Sequence, residues 1–432
     1  MASAVTARAT GTETALRSAL TAIVRRAATR LTCDNSGWAM TLPNAVDLVE
    51  RYIATGGQTM SSTHFQLPAR YDHVGSFLRP QYLLEARAQK AAGKITAAQL
   101  RVVEDRAITE IVKFQEDVGL KSVTDGEFRR TYFHIDFLDK LGGVKSDIPV
   151  TFIKPDGSEE LAPPVMLVTG KVRHVQDIQR ADFEYLNSQV SAGHTAKVCI
   201  PSPTMLHFRG GRGGISKTHY PELDPEFYDD VARAFGDELH SLSAAGCTYV
   251  QLDDTNLAYL CDERMREAAR QRGDDPNELP HRYAGFINKV VAYKPAGMTL
   301  AMHLCRGNFK STHAASGNYE PVAEALLAEM DLDAYFLEYD DDRSGDFRPL
   351  RFLPKGKTVV LGLVTTKVGQ MESKDALKRR IDEAAKFAPL DQLALSPQCG
   401  FSSTVEGNNI AVQAQRDKLR LVIETAREVW GG

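Results

Sequence analysis

The sequence predicts an α/β fold, a (β/α)8 TIM barrel with a β-hairpin excursion and an N-terminal helical or disordered extension. Three observations support this fold class. Short apolar, β-branched runs alternate with longer helical patterns, which is typical of βαβ units around a parallel sheet. Eight such runs follow the extension, the number that closes this kind of barrel. Polar and ionisable residues follow most of them, as expected where an active site lies at the carboxyl ends of barrel strands.

Residues 1–63 differ from the rest of the chain and are predicted to form a separate N-terminal extension. Arginine outnumbers acidic residues in its first half, among many Ala, Thr and Ser, which resembles an organellar transit segment. A loosely attached helical extension and a natural start at Met60 are the alternatives. The stretch from Gly56 to Thr63 is predicted to be a linker, so the barrel domain is placed at residues 64–432.

The composition is that of an ordinary globular protein, with 43% hydrophobic residues, 25% charged residues and a formal net charge of −4. No basic block or basic–aromatic stripe stands out, which argues against nucleic acid as a partner. No apolar run approaches the roughly 18–20 residues of a transmembrane helix, which argues against a membrane partner. The six scattered cysteines favour a reduced, cytoplasmic setting. The sequence leaves the oligomeric state open.

Strands and helices alternate through the predicted barrel domain. The predicted strands are Arg70–Phe77, Lys121–Gly126, Ala196–Ser202, Tyr249–Asp253, Met298–Leu304, Ala334–Tyr339, Thr358–Val364 and Leu393–Pro397. The predicted helices are Gln81–Ala92, Ala97–Val118, Pro225–Ala245, Asp262–Arg272, His281–Lys294, Pro321–Glu329, Ser373–Ala385 and Ala411–Glu428. The stretch from Leu141 to Val172 is predicted to be the hairpin excursion. A doubly wound sheet is disfavoured because no Gly-rich phosphate turn follows the first strand.

A metal site is predicted at the ends of three strands. His303 and Cys305 end the fifth strand and project from one side of it, because strand side chains alternate. Imidazole and thiolate are zinc ligands. Cys399, after the eighth strand, is the natural third ligand, and Glu338, on the sixth strand, is the candidate fourth. The alternatives are a packed core pair, an ordinary buried thiol, and a salt bridge from Glu338 to a nearby arginine.

This ligand set favours sulfur chemistry. Two thiolates and a carboxylate make Zn²⁺ a weak Lewis acid for water, but such an ion suits a thiol, which metal binding deprotonates. Cys199, Cys247 and Cys261 have no such neighbours in the sequence and are predicted to be structural.

Three more residues at strand ends are candidates for holding an amino acid that carries the thiol. Ser76 can offer a hydroxyl and a backbone N–H to a carboxylate, while Glu127 and Asp253 can receive an ammonium group. The alternatives are a helix cap for Ser76, a cap before the helix near Leu257 for the Asp253-Asp254 pair, and a salt bridge to a neighbouring arginine for Glu127. His207 and the Arg209–Arg212 loop either shape the pocket of a second substrate or are solvated loop charge.

Together these pieces resemble the catalytic barrel of cobalamin-independent methionine synthase, and most closely its shorter single-barrel, methionine synthase II-like relatives. The resemblance runs from about Arg70 onward. It rests on Val74-Gly75-Ser76-Phe77, Asp125-Gly126-Glu127, Pro203-Thr204-Met205-Leu206, Gln251-Leu252-Asp253-Asp254, His303-Leu304-Cys305, Leu337-Glu338 with Arg343-Ser344, and Gln398-Cys399-Gly400.

The resemblance implies a zinc-dependent methyltransferase of methionine biosynthesis, which moves a methyl group from 5-methyltetrahydrofolate or a related donor to a thiol such as homocysteine. It assigns zinc to His303, Cys305, Glu338 and Cys399, and the acceptor to Ser76, Glu127 and Asp253. One alternative is a thiol alkyltransferase of the epoxyalkane–coenzyme M transferase type, and another is a non-catalytic barrel. The first of these would need cations for a sulfonate, for which the candidates are Arg209, Arg212, Arg306 and Arg343.

Overall fold

A computed structural model describes residues 67–146, 150–153, 159–162, 165–308 and 311–431 of the chain. The predicted extension, residues 1–63, lies outside these ranges, so its boundary with the barrel domain stays a prediction. The described residues form the predicted eight-stranded barrel, with helices between successive barrel strands.

Six parallel strands lie side by side in chain order, β7 to β12, and form most of the barrel wall. The strands among the described residues are β1 (Ser122–Val123), β2 (Gly142–Ser146), β3 (Val150–Ile153), β4 (Glu159–Ala162), β5 (Met166–Arg173), β6 (Thr195–Ala196), β7 (Val198–Pro201), β8 (Tyr249–Asp254), β9 (Thr299–Leu304), β10 (Ala334–Glu338), β11 (Thr358–Val364) and β12 (Leu393–Pro397). Strands β8 to β12 are buried at almost every position, as expected for a parallel sheet covered by helices.

The first two predicted strands close the barrel but are shorter than expected. In the segment predicted at residues 70–77, only Tyr71 forms a parallel bridge, to Leu395 of β12. The ladder with β12 goes no further because Pro397 has no N–H to donate to the Asp72 carbonyl, and Gly75 takes a positive φ of 139°. The second predicted strand is reduced to β1, which pairs in parallel with β6.

The hairpin excursion is present as two antiparallel pairs, β2 with β5 and β3 with β4. The helices are α1 (Gln81–Ala91), α2 (Ala97–Val118), α3 (Ile135–Leu138), α4 (Arg180–Gln189), α5 (Glu226–Ala244), α6 (Asn256–Tyr259), α7 (Glu263–Gln271), α8 (Leu279–Val291), α9 (Lys374–Ala384) and α10 (Val412–Trp430). The helix predicted at residues 321–329 is instead a 3-10 turn followed by a π-helical turn, Glu324–Glu329. Among the residues described, no helix combines the length and apolar character that crossing a membrane requires.

A buried ion pair fixes the first barrel segment from inside. Lys197 lies 3.5 Å from the Asp72 carboxylate and donates to the His73 carbonyl at 2.6 Å, and the Tyr249 hydroxyl donates to Asp72 at 2.7 Å. Burial opposes ionisation of Asp72, but the charge of Lys197 holds the pKa of that carboxyl below its usual value. The Lys197 ammonium also lies 4.3 Å from the ring centre of Phe336. This network anchors the backbone that leads directly into the functional site.

Replacing the buried lysine tests this anchor. We expect Lys197→Ala to lower the free energy of unfolding by about 3–5 kcal/mol, because the Asp72 carboxylate is left buried without its partner. Urea unfolding measures the change. Lys113→Ala is the control, because its partner Asp117 is solvent-exposed and the loss is then much smaller. Equal losses in the two variants would show that the buried pair does not anchor the segment.

Candidate metal centre

The four predicted metal ligands lie together at the mouth of the barrel. His303, Cys305, Glu338 and Cys399 are all buried, and their ligand atoms lie within 4.8 Å of one another. The two sulfur atoms are 3.5 Å apart. Two sulfurs on one tetrahedral zinc ion, with bonds of about 2.3 Å, would be about 3.8 Å apart. The cluster therefore has dimensions that suit such an ion.

Strand register explains how the cluster forms. His303 lies on β9 and pairs with Phe336 of the neighbouring strand β10, which ends at Glu338. Cys305 follows β9 directly, and its backbone N–H donates to the Asp254 carbonyl at 2.8 Å. Cys399 lies two residues beyond β12. All three strands are parallel, so their carboxyl ends meet at the same rim of the barrel.

Buried polar atoms in the cluster lack partners among the described residues. They include both ring nitrogens of His303 and one carboxylate oxygen of Glu338. The other oxygen of Glu338 lies 3.3 Å from the Arg306 backbone N–H and 3.6 Å from the Arg343 guanidinium. The predicted salt-bridge alternative thus occupies one oxygen and leaves the other facing the cluster. Buried polar atoms are costly unless they are bonded, so this donor set fits a bound cation.

The two thiols share one hydrogen. A hydrogen bond from Cys305 lowers the pKa of Cys399 well below its usual value, and the same bond raises the pKa of Cys305 well above its own. Burial raises the pKa of Glu338. For His303, burial works against the charged form, but Cys399, Asp253 and Glu338 together outweigh burial and raise the pKa. The protein itself thus stabilises one thiolate, the form of cysteine that binds metals.

Asp253 and Glu127 lie beside the metal-ligand cluster. Asp253 pairs in register with His303 across β8 and β9 and accepts a hydrogen bond from Gln251 at 2.7 Å. Ligand atoms of Glu127, Cys199 and Asp253 lie within 4.8 Å of one another. The prediction that Cys199 lacks ionisable neighbours is therefore wrong. The fold brings strand β7 next to β8, a neighbour that spacing along the chain does not reveal.

The sequence offered a salt bridge for Glu127 and a helix cap for the aspartates as alternatives to substrate binding. Glu127 does form the predicted salt bridge, to Arg130, whose guanidinium also donates to the Ser403 carbonyl at 2.9 Å. For the Asp253-Asp254 pair, the cap is formed by Asp254, which accepts from the Leu257 N–H at 2.9 Å. The Asp253 side chain thus stays beside the cluster.

Ser76 packs against the turn that carries Cys399. Its hydroxyl accepts from the Ser402 N–H at 3.3 Å and its carbonyl accepts from Phe401 at 2.9 Å. A Cβ at Gly400 would fall 1.9 Å from the hydroxyl oxygen, so this approach needs a glycine. Helix α1 begins at Gln81 without a side-chain cap, so Ser76 is not its cap.

The loop that follows β7 is not a region of solvated charge. His207 is fully buried, and its Nδ1 lies 2.9 Å from the Tyr283 hydroxyl. Burial lowers the pKa of His207 to about 4. Arg212 donates to the carbonyls of Ile215 and Pro221 at 2.7 and 3.0 Å. The solvated-charge alternative is wrong for these two residues, and their part in a second substrate pocket stays a prediction.

One more residue near the cluster was missed from the sequence. Lys367 follows β11, a strand to whose end the sequence assigned no candidate residue. Its charge influences the pKa of both cysteines and of Glu338. The signal that could have found it is Thr365-Thr366-Lys367, a polar run directly after a buried strand.

Comparison with known proteins fits this arrangement of fold and site. The family described as "Cobalamin-independent synthase, Catalytic domain" matches residues 71–428. The chain belongs to the cobalamin-independent methionine synthase family. Uncharacterized protein YxjH of Bacillus subtilis (strain 168) is 47% identical over 364 residues, which are 84% of this chain and 95% of that protein.

Two further relatives are a solved structure of this family and a named methyltransferase. The crystal structure of the putative vitamin-B12 independent methionine synthase from Listeria monocytogenes is 37% identical, with a TM-score of 0.67 over 84% of this chain and 98% of that one. The 5-methyltetrahydropteroyltriglutamate–homocysteine methyltransferase of Bacillus licheniformis is 23% identical over 361 residues, 83% of this chain and 42% of that enzyme. The predicted family and barrel fold are thus confirmed, and the chain is a catalytic domain of the methionine synthase type.

Gly75 allows Glu127 and Cys199 to lie close to the backbone at the mouth of the barrel. A Cβ there would lie 2.4 Å from the Glu127 carboxylate and 2.6 Å from the Cys199 sulfur. The control is Gly93→Ala, whose position also has positive φ but open space around it, and which we expect to cost about 1–2 kcal/mol. Gly75→Ala should cost about 1–3 kcal/mol more because of overpacking, as measured by urea unfolding. Equal costs would show that the mouth accommodates the methyl group.

Proposed function

We propose that the protein is a zinc-dependent methyltransferase that moves a methyl group from 5-methyltetrahydrofolate or a related donor to homocysteine, forming methionine. The proposal rests on one observation: the metal-ligand cluster and the carboxylates of Glu127 and Asp253 are direct neighbours. His303 belongs to the metal-ligand cluster, and Asp253 lies with Glu127 beside that cluster. The two residues His303 and Asp253 pair directly across β8 and β9. An acceptor with both a thiol and an ammonium group would match this arrangement.

Zinc is the metal that this donor set favours. His303, Cys305, Cys399 and Glu338 offer one nitrogen, two sulfurs and one oxygen, and soft thiolates select against Mg²⁺ and Ca²⁺. When bound, zinc lowers the pKa of a coordinated thiol, so that the acceptor is present as a thiolate.

The chain's own residues would orient the acceptor. The carboxylates of Glu127 and Asp253 would receive its ammonium group, and the hydroxyl and N–H of Ser76 would receive its carboxylate. The acceptor sulfur would then attack the methyl carbon of a donor protonated at nitrogen. A carbon–sulfur bond forms, and the carbon–nitrogen bond breaks with its electron pair staying on nitrogen, so the proton lost by the thiol is balanced by the one that the donor keeps. Fixing both groups in place would contribute much of the rate enhancement.

A sulfonate-bearing acceptor fits less well. Arg306 is fully buried and donates to Tyr319, to the Glu338 carbonyl and to the Gly317 carbonyl at 2.7–2.9 Å. Arg343 is paired with acidic side chains. Two of the four candidate cations are therefore already engaged at the metal-ligand cluster, while the Asp253 carboxylate, which has no ion-pair partner among the described residues, lies where the acceptor would bind. This balance favours an acceptor with a positive group.

Removing a ligand sulfur tests the metal assignment. We expect Cys305→Ser and Cys399→Ser to lose bound zinc and methionine formation, because a serine hydroxyl is a poor zinc ligand at neutral pH. Metal content per chain, measured by mass spectrometry, decides. Cys247→Ser is the control, because that thiol is equally buried but lies at the start of β8 and outside the cluster. A full equivalent of zinc in either ligand variant would refute the ligand set.

Neutralising Asp253 tests the acceptor assignment. We expect Asp253→Asn to raise the KM for homocysteine about 10- to 100-fold, the cost of losing a hydrogen bond to a charged group. Zinc content should not change. Steady-state formation of methionine from homocysteine and 5-methyltetrahydrofolate measures both kinetic constants, with the exposed Asp117→Asn as control. An unchanged KM would remove Asp253 from ammonium binding.

A further inference from the structure

Lys367 lies on the part of the barrel rim that the proposed function leaves unused. It follows strand β11, which is hydrogen-bonded to β10 on one side and to β12 on the other. Those two strands carry Glu338 and lead to Cys399. The end of β11 therefore lies between two of the proposed metal ligands.

Hydrogen bonds fix the turn that carries Lys367 against the turn that carries Cys399. The backbone N–H and the hydroxyl of Thr366 donate to the Gln398 side chain at 2.7 and 2.8 Å. The same hydroxyl lies 3.1 Å from the Gly400 carbonyl. The position of the Lys367 turn is thus set by the Gln398 side chain and the Gly400 carbonyl, which lie on either side of Cys399 in the chain.

The ammonium group of Lys367 is buried without a partner among the described residues. The side chain is only 8% exposed, and no acceptor or carboxylate lies within bonding distance of Nζ in that part of the chain. Two other buried lysines show the contrast. Lys197 is paired with Asp72, and Lys418 lies 2.9 Å from Glu372. An unpaired buried charge is destabilising, so we expect a ligand to bind at this position.

The charge of Lys367 lowers the pKa of groups in the metal-ligand cluster. Burial raises the pKa of Glu338, and among the groups that oppose this rise Lys367 is stronger than Arg306, although the Arg306 backbone touches that carboxylate. The hydrogen bond from Cys305 lowers the pKa of Cys399 most, and Lys367 lowers it further. These effects agree with the position that the hydrogen bonds of Thr366 give to the turn.

We infer that Lys367 contacts the acceptor and balances the negative charge that a bound thiolate brings to the metal centre. This inference rests on the proposed function. Three anionic ligands around one divalent cation leave one negative charge, and an acceptor thiolate adds a second. A buried ammonium beside the sulfur reduces the cost of that second charge. The ligand class is a thiol bound as its thiolate, whatever group it carries at its other end.

The test uses the opposite effects of Lys367 on a cation and on an anion. In Lys367→Met, we expect zinc to bind several-fold more tightly, because a like charge has been removed from beside the ion. We expect 2-mercaptoethanol and homocysteine to bind about tenfold more weakly to the Co²⁺-loaded variant, because the thiolate loses a counter-charge. Competition with a chromophoric chelator measures zinc, and thiolate-to-cobalt absorption measures the thiols.

Two further variants sharpen the result. Lys367→Arg keeps the charge and should leave both affinities within about threefold of the original protein. Lys386→Met removes an exposed lysine and should change neither. A variant that merely disturbs packing would weaken zinc and thiol together. Weaker zinc binding in Lys367→Met, or unchanged thiol binding, would therefore overturn the inference.

A panel of thiols separates contact with the sulfur from recognition of a distant anion. Coenzyme M, homocysteine and 2-mercaptoethanol should lose affinity to a similar degree in Lys367→Met. If only coenzyme M loses affinity, Lys367 holds a sulfonate and the assignment is wrong. If no thiol perturbs the cobalt spectrum of the original protein, the proposed function fails, and the zinc affinities still decide whether Lys367 faces the metal centre.

Discussion

Mutual repulsion among buried anions is the constraint on which this site depends. Cys305, Cys399 and Glu338 lie within a few ångströms of one another with almost no access to solvent. The protein relieves part of this repulsion by leaving one hydrogen between the two sulfurs and by tying one oxygen of Glu338 to Arg306 and Arg343. The remaining lone pairs, including those of the His303 ring, converge on a space that suits a cation.

The rest of the mouth is organised around charges that are already paired. Lys197 neutralises Asp72 inside the barrel, and Arg130 neutralises Glu127 at the rim. Against this background, Lys367 is conspicuous among the described residues because its ammonium is buried and unpaired. Under the proposed function, the partner of this ammonium would be a bound substrate. In a structural ion pair, by contrast, both partners belong to the protein. Under the proposed function, the metal ligands, the carboxylates and Lys367 would together bind a charged thiol.

Much of the fold could be predicted because its signals are local. Buried strands such as β11 are continuous apolar runs, and α2 begins at a capping box formed by Thr96 and Gln99. The first strand was overpredicted because its apolar pattern does not reveal that it pairs with β12, where Pro397 has no N–H to continue the ladder. The irregular turns around Glu324 were likewise hidden behind an ordinary helical pattern.

The sequence by itself determined the barrel, the family resemblance and the residue types at seven strand ends, because alternation along a strand and the common direction of parallel strands follow from chain order. Only the tertiary structure decided which side chains meet. It placed Cys199 beside Glu127 and Asp253, gave Glu127 a partner in Arg130, and left Lys367 buried without one. The physical reason is that pairing and burial depend on neighbours from distant parts of the chain, whose distances no local pattern contains.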